Sequence, residues 1–211
     1  FTNMVLAGLL LGKTDDVACY ERCFNAVAVA GASVLLRHGQ AIARLARTDY
    51  SSAVFLGSGC QHGAARESAL KMLEMTAGRV KTLSETYLGL RHGPMCAIDE
   101  ETLVVCFLST DPVGRAYELD LLHELDRKRL GARKLLVGHD VPDDLVSAQD
   151  LAIELSGVAE LGDAPLPILD VLVGQQLAFF RCLQEGLRPD LPSTDGVISR
   201  VVELFALHRR S

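Results

Sequence analysis

Short apolar runs recur along this chain between stretches patterned for helix, and that alternation narrows the folds open to it. The runs are "SAVFLGSG" (Ser52 to Gly59), "LVVCFLST" (Leu103 to Thr110), "RKLLVGH" (Arg133 to His139) and "LAIELS" (Leu151 to Ser156). A fifth, "RVKTLSE" (Arg79 to Glu85), is more polar. Each has strand length and ends in turn residues. Helix-patterned sequence fills 61 to 77, 112 to 130 and 165 to 185. Strands that are apolar without alternation are covered on both faces, as in a parallel sheet flanked by helices. Right-handed crossovers then give a three-layer, doubly wound α/β fold of about five strands.

Helices come first. Residues 3 to 12 read as a short apolar helix closed by Gly12. Thr14, Asp15 and Asp16 offer an N-cap for a long helix from about Val17 to Arg47, interrupted by Gly31 and Gly39. Gly78 is placed to close the helix from 61. The chain therefore divides into a helical segment at 1–50, an α/β domain at 51–190 and a tail at 191–211.

Composition removes several classes. The 211 residues are 49% hydrophobic and 23% charged, so the chain folds and buries a core. A net charge of −6 excludes a general nucleic-acid binder. The longest apolar run, Ala26 to Leu36, is shorter than the ~18 residues of a spanning helix, which predicts no membrane segment. No basic leader precedes the apolar start, so no signal peptide is expected. The six cysteines form no framework, which predicts reduced thiols, mostly in the core of a cytoplasmic protein. No metal-ligand spacing stands out.

In a doubly wound sheet, ligands sit beyond the carboxyl ends of the strands. Those ends carry Gly57-Ser58-Gly59, Glu85 and Ser109-Thr110. The Gly57 turn allows a ligand to approach backbone N–H groups. It is not a dinucleotide fingerprint, because the third glycine, Gly63, comes one residue late. Cys60 and His62 are a conceivable thiol–imidazole pair, with the helix start expected to lower the thiol pKa. In "ESALKMLE", Glu67, Lys71 and Glu74 fall at i, i+4 and i+7 on one helix stripe. That is an ordinary exposed ion-pair spacing. Two features favour a site: apolar flanks at Ala64, Ala69, Leu70, Met75 and Ala77, and a helix that starts at a strand's carboxyl end, so that the stripe is expected to begin beside the crevice. In "LRHGP", Gly93-Pro94 forces a turn that holds His92 in a loop, as a candidate acid or base.

"FLGSGCQHGAARESALKMLEMTAGRV", "LRHGP", "TLVVCFLSTDPVGRAYELDLLHEL" and "GLRPDLPSTDGVISRVV" together resemble the second half of a double sugar isomerase (SIS) protein of the AgaS type. The resemblance covers essentially the whole chain, and extends more loosely to the isomerase half of glucosamine-6-phosphate synthase. It implies an aldose–ketose isomerase or amino-sugar phosphate deaminase that needs no cofactor or metal. It implies that Glu74 shuttles a proton between C1 and C2, that Lys71 handles a hydroxyl proton, and that Glu67 braces Lys71. His92 would open the sugar ring, reaching it from a neighbouring subunit of a dimer. Gly57, Ser58, Gly59 and the tail residue Arg200 would bind the sugar phosphate. The resemblance also implies a first SIS half ahead of Phe1, with 1–50 as its last helix plus a linker. The pattern departs at Ser199, where relatives carry Asn, and at Met95-Cys96. The alternative is a non-catalytic sugar-phosphate sensor.

Overall fold

The computed structural model describes residues 1–13, 15–191, 206 and 208. Arg200 and nearly all of the tail lie outside the described residues. The chain opens with helices α1 (Thr2–Leu11), α2 (Val17–Ser33) and α3 (Gly39–Ala46). Strands and helices then alternate: β1 (Ser52–Leu56), α4 (Gln61–Met75), β2 (Lys81–Glu85), α5 (Tyr87–Arg91), β3 (Thr102–Phe107), α6 (Pro112–Lys128), β4 (Arg133–Gly138), β5 (Leu151–Glu154) and α7 (Pro167–Gln184).

All strand pairs are parallel, in the order β2-β1-β3-β4-β5. This is the expected five-stranded, doubly wound α/β sheet. Alternate side chains feed two cores. Ala53, Phe55, Leu103, Val105, Phe107, Leu135 and Val137 face α2, α3, α4 and α7, while Val54, Leu56, Val104, Cys106 and Leu136 face α5 and α6. Chain order reverses between β1 and β3, so the ligand crevice of such a sheet falls there.

The long N-terminal helix is continuous from Val17 to Ala46, with a π turn at Val34–His38 where Gly39 was expected to interrupt it. Asp16 is its cap, accepting from the Cys19 N–H at 2.8 Å. By length and composition the helix could cross a membrane, further than its apolar run suggested. It nevertheless buries Val27, Ala30, Val34, Ile42, Leu45 and Ala46 in the domain core. Arg181 of α7 pins its end, donating to the carbonyls of Ala46, Thr48 and Tyr50. The residue that turns α4 off is Ala77 (φ 49°), capped at Thr76, and Gly78 follows it. All six cysteines are free, but two alone, Cys106 and Cys182, are buried, fewer than composition led one to expect.

Candidate active site

The helix α4 carries two different faces. Its first residue, Gln61, is buried against the end of β3, donating from Nε2 to the Leu108 carbonyl at 2.7 Å. Gly57 permits this approach, since a Cβ there would stand 2.5 Å from the Gln61 carbonyl oxygen. Gly59 completes the turn with φ 53°. A tight strand–helix junction therefore accounts for both glycines.

The outer face carries the stripe that helix periodicity anticipated. Lys71 Nζ lies 2.7 Å from Glu74 Oε2 and 3.7 Å from Glu67 Oε1. The three side chains are 25%, 31% and 40% exposed, for Glu67, Lys71 and Glu74 in turn. The hydrogen bond to Glu74 is the main reason that the Lys71 pKa is raised, against a smaller opposing effect of burial. Lys71 thus keeps its proton at neutral pH and is a donor, with Glu74 as the group able to accept. Beside Lys71 opens a cavity of ≈ 540 Å³ lined mainly by Met75, Leu172, Phe179 and Phe180.

Three expectations about this region change. The stripe does not begin at the crevice: Glu67 lies nearly two turns into α4, and Gln61 to Glu74 spans about 20 Å of helix. The flank is not fully covered, because Leu70 and Leu73 are exposed. Cys60 is not activated; burial, and next the negative charge of Asp163, raise its thiol pKa, while its Sγ donates to the Asp163 carbonyl at 3.2 Å. The His62 imidazole has no hydrogen bond among the described residues; only its backbone N–H is bonded, to the Gly59 carbonyl at 3.3 Å. Glu85 folds back to accept the Thr86 N–H at 2.7 Å, which closes the start of α5.

His92 caps the C-terminus of the five-residue helix α5, and Gly93 follows with φ 141°. It is exposed, with no hydrogen bond or ion pair to the α4 stripe among the described residues. The structure brings Glu67, Lys71 and Glu74 together but leaves His92 apart from them.

The crevice between β1 and β3 holds charged residues that sequence reasoning passed over. Asp163, from the connection before α7, accepts from the Thr110 N–H (2.6 Å), the Thr110 hydroxyl (2.7 Å) and the Ser109 hydroxyl. Glu118 of α6 accepts from the Ser109 N–H at 2.8 Å, and burial pushes its carboxyl up to about 7. The Ser58 hydroxyl lies beside it but leaves Oε1 without a protein partner. Asp170, in the first turn of α7, is 1% exposed, and burial holds its pKa well above the carboxylate range. One signal was available. Glu118 falls on the apolar stripe of α6 with Leu121, Leu122 and Leu125, where a charge is out of place. Among the described residues, no three His, Cys, Asp or Glu side chains form a group able to hold a metal ion.

No family model matches the chain. The D-galactosamine-6-phosphate deaminase AgaS of Escherichia coli is 38% identical over 155 residues, covering 74% of this chain and 40% of that protein. The crystal structure of the tagatose-6-phosphate ketose/aldose isomerase from Escherichia coli superposes on 81% of this chain and 46% of its own, with TM-score 0.73 and 35% identity. A Clostridium novyi NT protein, itself provisionally assigned as a tagatose-6-phosphate ketose/aldose isomerase, matches 97% of this chain and 53% of its own, with TM-score 0.87 and 32% identity. The chain thus spans about half the length of the relatives it matches.

Proposed function

Since the chain belongs to the AgaS-type branch of the sugar isomerase (SIS) family, we propose that it supplies the proton-transfer face of a sugar-phosphate isomerase/deaminase. The observation that carries this reading is the Glu67–Lys71–Glu74 stripe. It joins an acceptor carboxylate to a protonated amine at 2.7 Å on a half-exposed helix face. The similarity to proteins named for galactosamine-6-phosphate deamination and tagatose-6-phosphate isomerisation supports the substrate class.

The chemistry follows from those two groups. In an open-chain 2-amino aldose phosphate, the C2–H is acidified by the C1 aldehyde. Glu74 takes that proton and returns it to C1, leaving a hydroxyl at C1 and an imine at C2. Lys71, holding its proton, donates to the oxygen that gains negative charge between the two steps. Glu67 steadies Lys71 from the other side. Water then hydrolyses the imine, releasing ammonia and the ketose phosphate. With a hydroxyl in place of the amine, the same proton transfer is a plain aldose–ketose isomerisation.

His92 serves ring opening in this scheme, and its exposed turn suits a role at a neighbouring subunit's site, hence a homodimer. Gly57, Ser58 and Gly59 remain candidates for sugar-phosphate contacts, and Arg200 a further one from the tail. We also propose a division into a helical segment at 1–50, an SIS domain at 51–190 and a tail at 191–211, and a cytoplasmic location, in keeping with relatives named as metabolic enzymes.

The test is solvent deuterium incorporation at C1 or C2 of galactosamine 6-phosphate. Exchange that disappears in Glu74→Gln supports the reading. Tight binding of the sugar phosphate without exchange would sink it, and leave a binding module.

A further inference from the structure

The stripe on α4 stands between two cavities of opposite character. On the Lys71 side lies the cavity lined mainly by Met75, Leu172, Phe179 and Phe180. On the Glu67 side lies another, of ≈ 460 Å³, between α4 and the edge strand β2. Its lining includes Arg66 and Glu67 of α4 and Thr82 and Ser84 of β2, and Gly63 adds no side chain to fill it.

The strand register makes this second cavity polar. β2 pairs with β1 so that Thr82 lies beside Ala53, and Ser84 beside Phe55. Ala53 and Phe55 are buried in the core beneath α4. Side chains alternate across a strand, so Thr82 and Ser84 share that face. Where β1 offers α4 an apolar surface, β2 offers two half-buried hydroxyls. Neither has a hydrogen bond among the described residues, so both can donate to a ligand. Arg66 lines the same space from the helix, exposed and without an ion pair or hydrogen bond among the described residues. A guanidinium is a planar fork of donors that matches a phosphate. Glu67, the acid in this lining, lies 3.7 Å from Lys71 Nζ, which offsets its charge. Glu85, next along β2, points to the opposite face and folds back on the Thr86 N–H.

We propose that Arg66, Thr82 and Ser84 hold the phosphate group of the sugar phosphate, with its carbon chain laid along α4 towards Glu74. This rests on the proton-transfer role proposed for the stripe, and supplies a grip for the end of the substrate that the stripe leaves unbound. Arg66 and Glu74 are eight residues apart, about 12 Å of helix rise. An open-chain hexose 6-phosphate carries its phosphate at the end remote from C1 and C2. Held at Arg66, it extends past Glu67 and brings those two carbons to Lys71 and Glu74. The Gly57–Gly59 turn, by contrast, stands beyond Gln61, at the far end of about 20 Å of helix. The cavity beyond Lys71 has no guanidinium in its lining.

Calorimetric titration with galactosamine 6-phosphate, galactosamine and inorganic phosphate tests the subsite. The unmodified chain should bind the 6-phosphate more tightly than either of the other two. Arg66→Gln should weaken the 6-phosphate and inorganic phosphate about tenfold or more, the scale of a lost charge-assisted hydrogen bond, and leave galactosamine as it was. Equal affinity for the 6-phosphate in the two proteins, or no binding by the unmodified chain, overturns the proposal. So does inorganic phosphate bound as tightly as the 6-phosphate, which would mark an anion site unconnected with the stripe. If Arg66→Gln does not fold, Thr82→Val carries the test, with a loss of about threefold expected and no loss overturning the proposal. The deuterium-incorporation assay separates this inference from the one beneath it. Phosphate affinity lost in Arg66→Gln, with no exchange in the unmodified chain, keeps the subsite and removes the catalytic reading. Exchange that Glu74→Gln abolishes, with phosphate affinity untouched by Arg66→Gln, does the reverse.

Discussion

Glu74 and Glu118 are both glutamates on helices packed against one sheet, yet their surroundings are opposite. Glu74 is 40% exposed and holds an ammonium group at 2.7 Å. Glu118 is 0% exposed, with one oxygen lacking a protein donor. Water and Lys71 keep the first stripe cheap to maintain, so it is free to serve chemistry. Burial raises the cost of a charge on Glu118, so its protonation bears on stability rather than on an exposed site. The comparison teaches that carboxylates at a strand's carboxyl end are not thereby the reactive ones. In the function proposed above, the proton-transferring carboxylate, Glu74, is on the outer face of the helix, some turns away.

Four variants sharpen or break this contrast. The largest effect is expected from Glu74→Gln, which should lower solvent deuterium incorporation by ~10²-fold or more, the scale of a general acid–base group. Its urea midpoint should stay where it was; unfolding of the variant would make the stripe structural. Next is Asp163→Ala, which strips the acceptor from three donors at the crevice. At ~1–3 kcal/mol for each donor left unsatisfied, urea titration should show a loss of ~3 kcal/mol or more. A loss under ~1 kcal/mol would mean that water fills the place and that the crevice is no tighter than the stripe.

Glu118→Gln should do the reverse, and only above acid pH. Its carboxyl ionises near 4.5 when unfolded and at about 7 when folded. The folded state therefore binds more protons across that window, and stability falls as pH rises through it. The variant escapes this fall. It should match the unmodified chain below about pH 4.5 and exceed it by up to ~3 kcal/mol above about pH 7. Parallel pH–stability curves for the two proteins would contradict the assignment. The smallest effect belongs to Glu67→Gln, which should cost about 0.2–0.5 kcal/mol in a melting experiment at low salt, and less at high salt.

The sheet was legible because its signal is local. The central strands β1, β3 and β4 are contiguous runs buried on both faces, which leaves them almost wholly apolar, whereas the edge strand β2 is polar and only half-buried. The stripe was legible for a related reason, since helix geometry alone aligns Glu67, Lys71 and Glu74. The crevice was not, because its parts are distant in sequence. Asp163 reaches back 54 residues to Ser109, and nothing in the residues around Asp163 announces that partner. Glu118 was readable in principle as the one charge on the buried stripe of α6, beside Leu121, Leu122 and Leu125. The position of His92 relative to α4 was not readable, since the turn at Gly93-Pro94 sets its local shape and nothing about its distance from the stripe.

The strand order has a kinetic consequence. Parallel neighbours cannot be joined by a hairpin, so every pairing in this sheet waits for a crossover to be closed first. β1 lies between β2 and β3, and its apolar residues stay without one neighbour until Thr102–Phe107 has been made and docked. Sheets built from such distant pairings fold slowly. During that wait the runs at 53–56 and 103–107 are bare, so slow dilution from denaturant should recover more soluble protein than rapid refolding at high concentration.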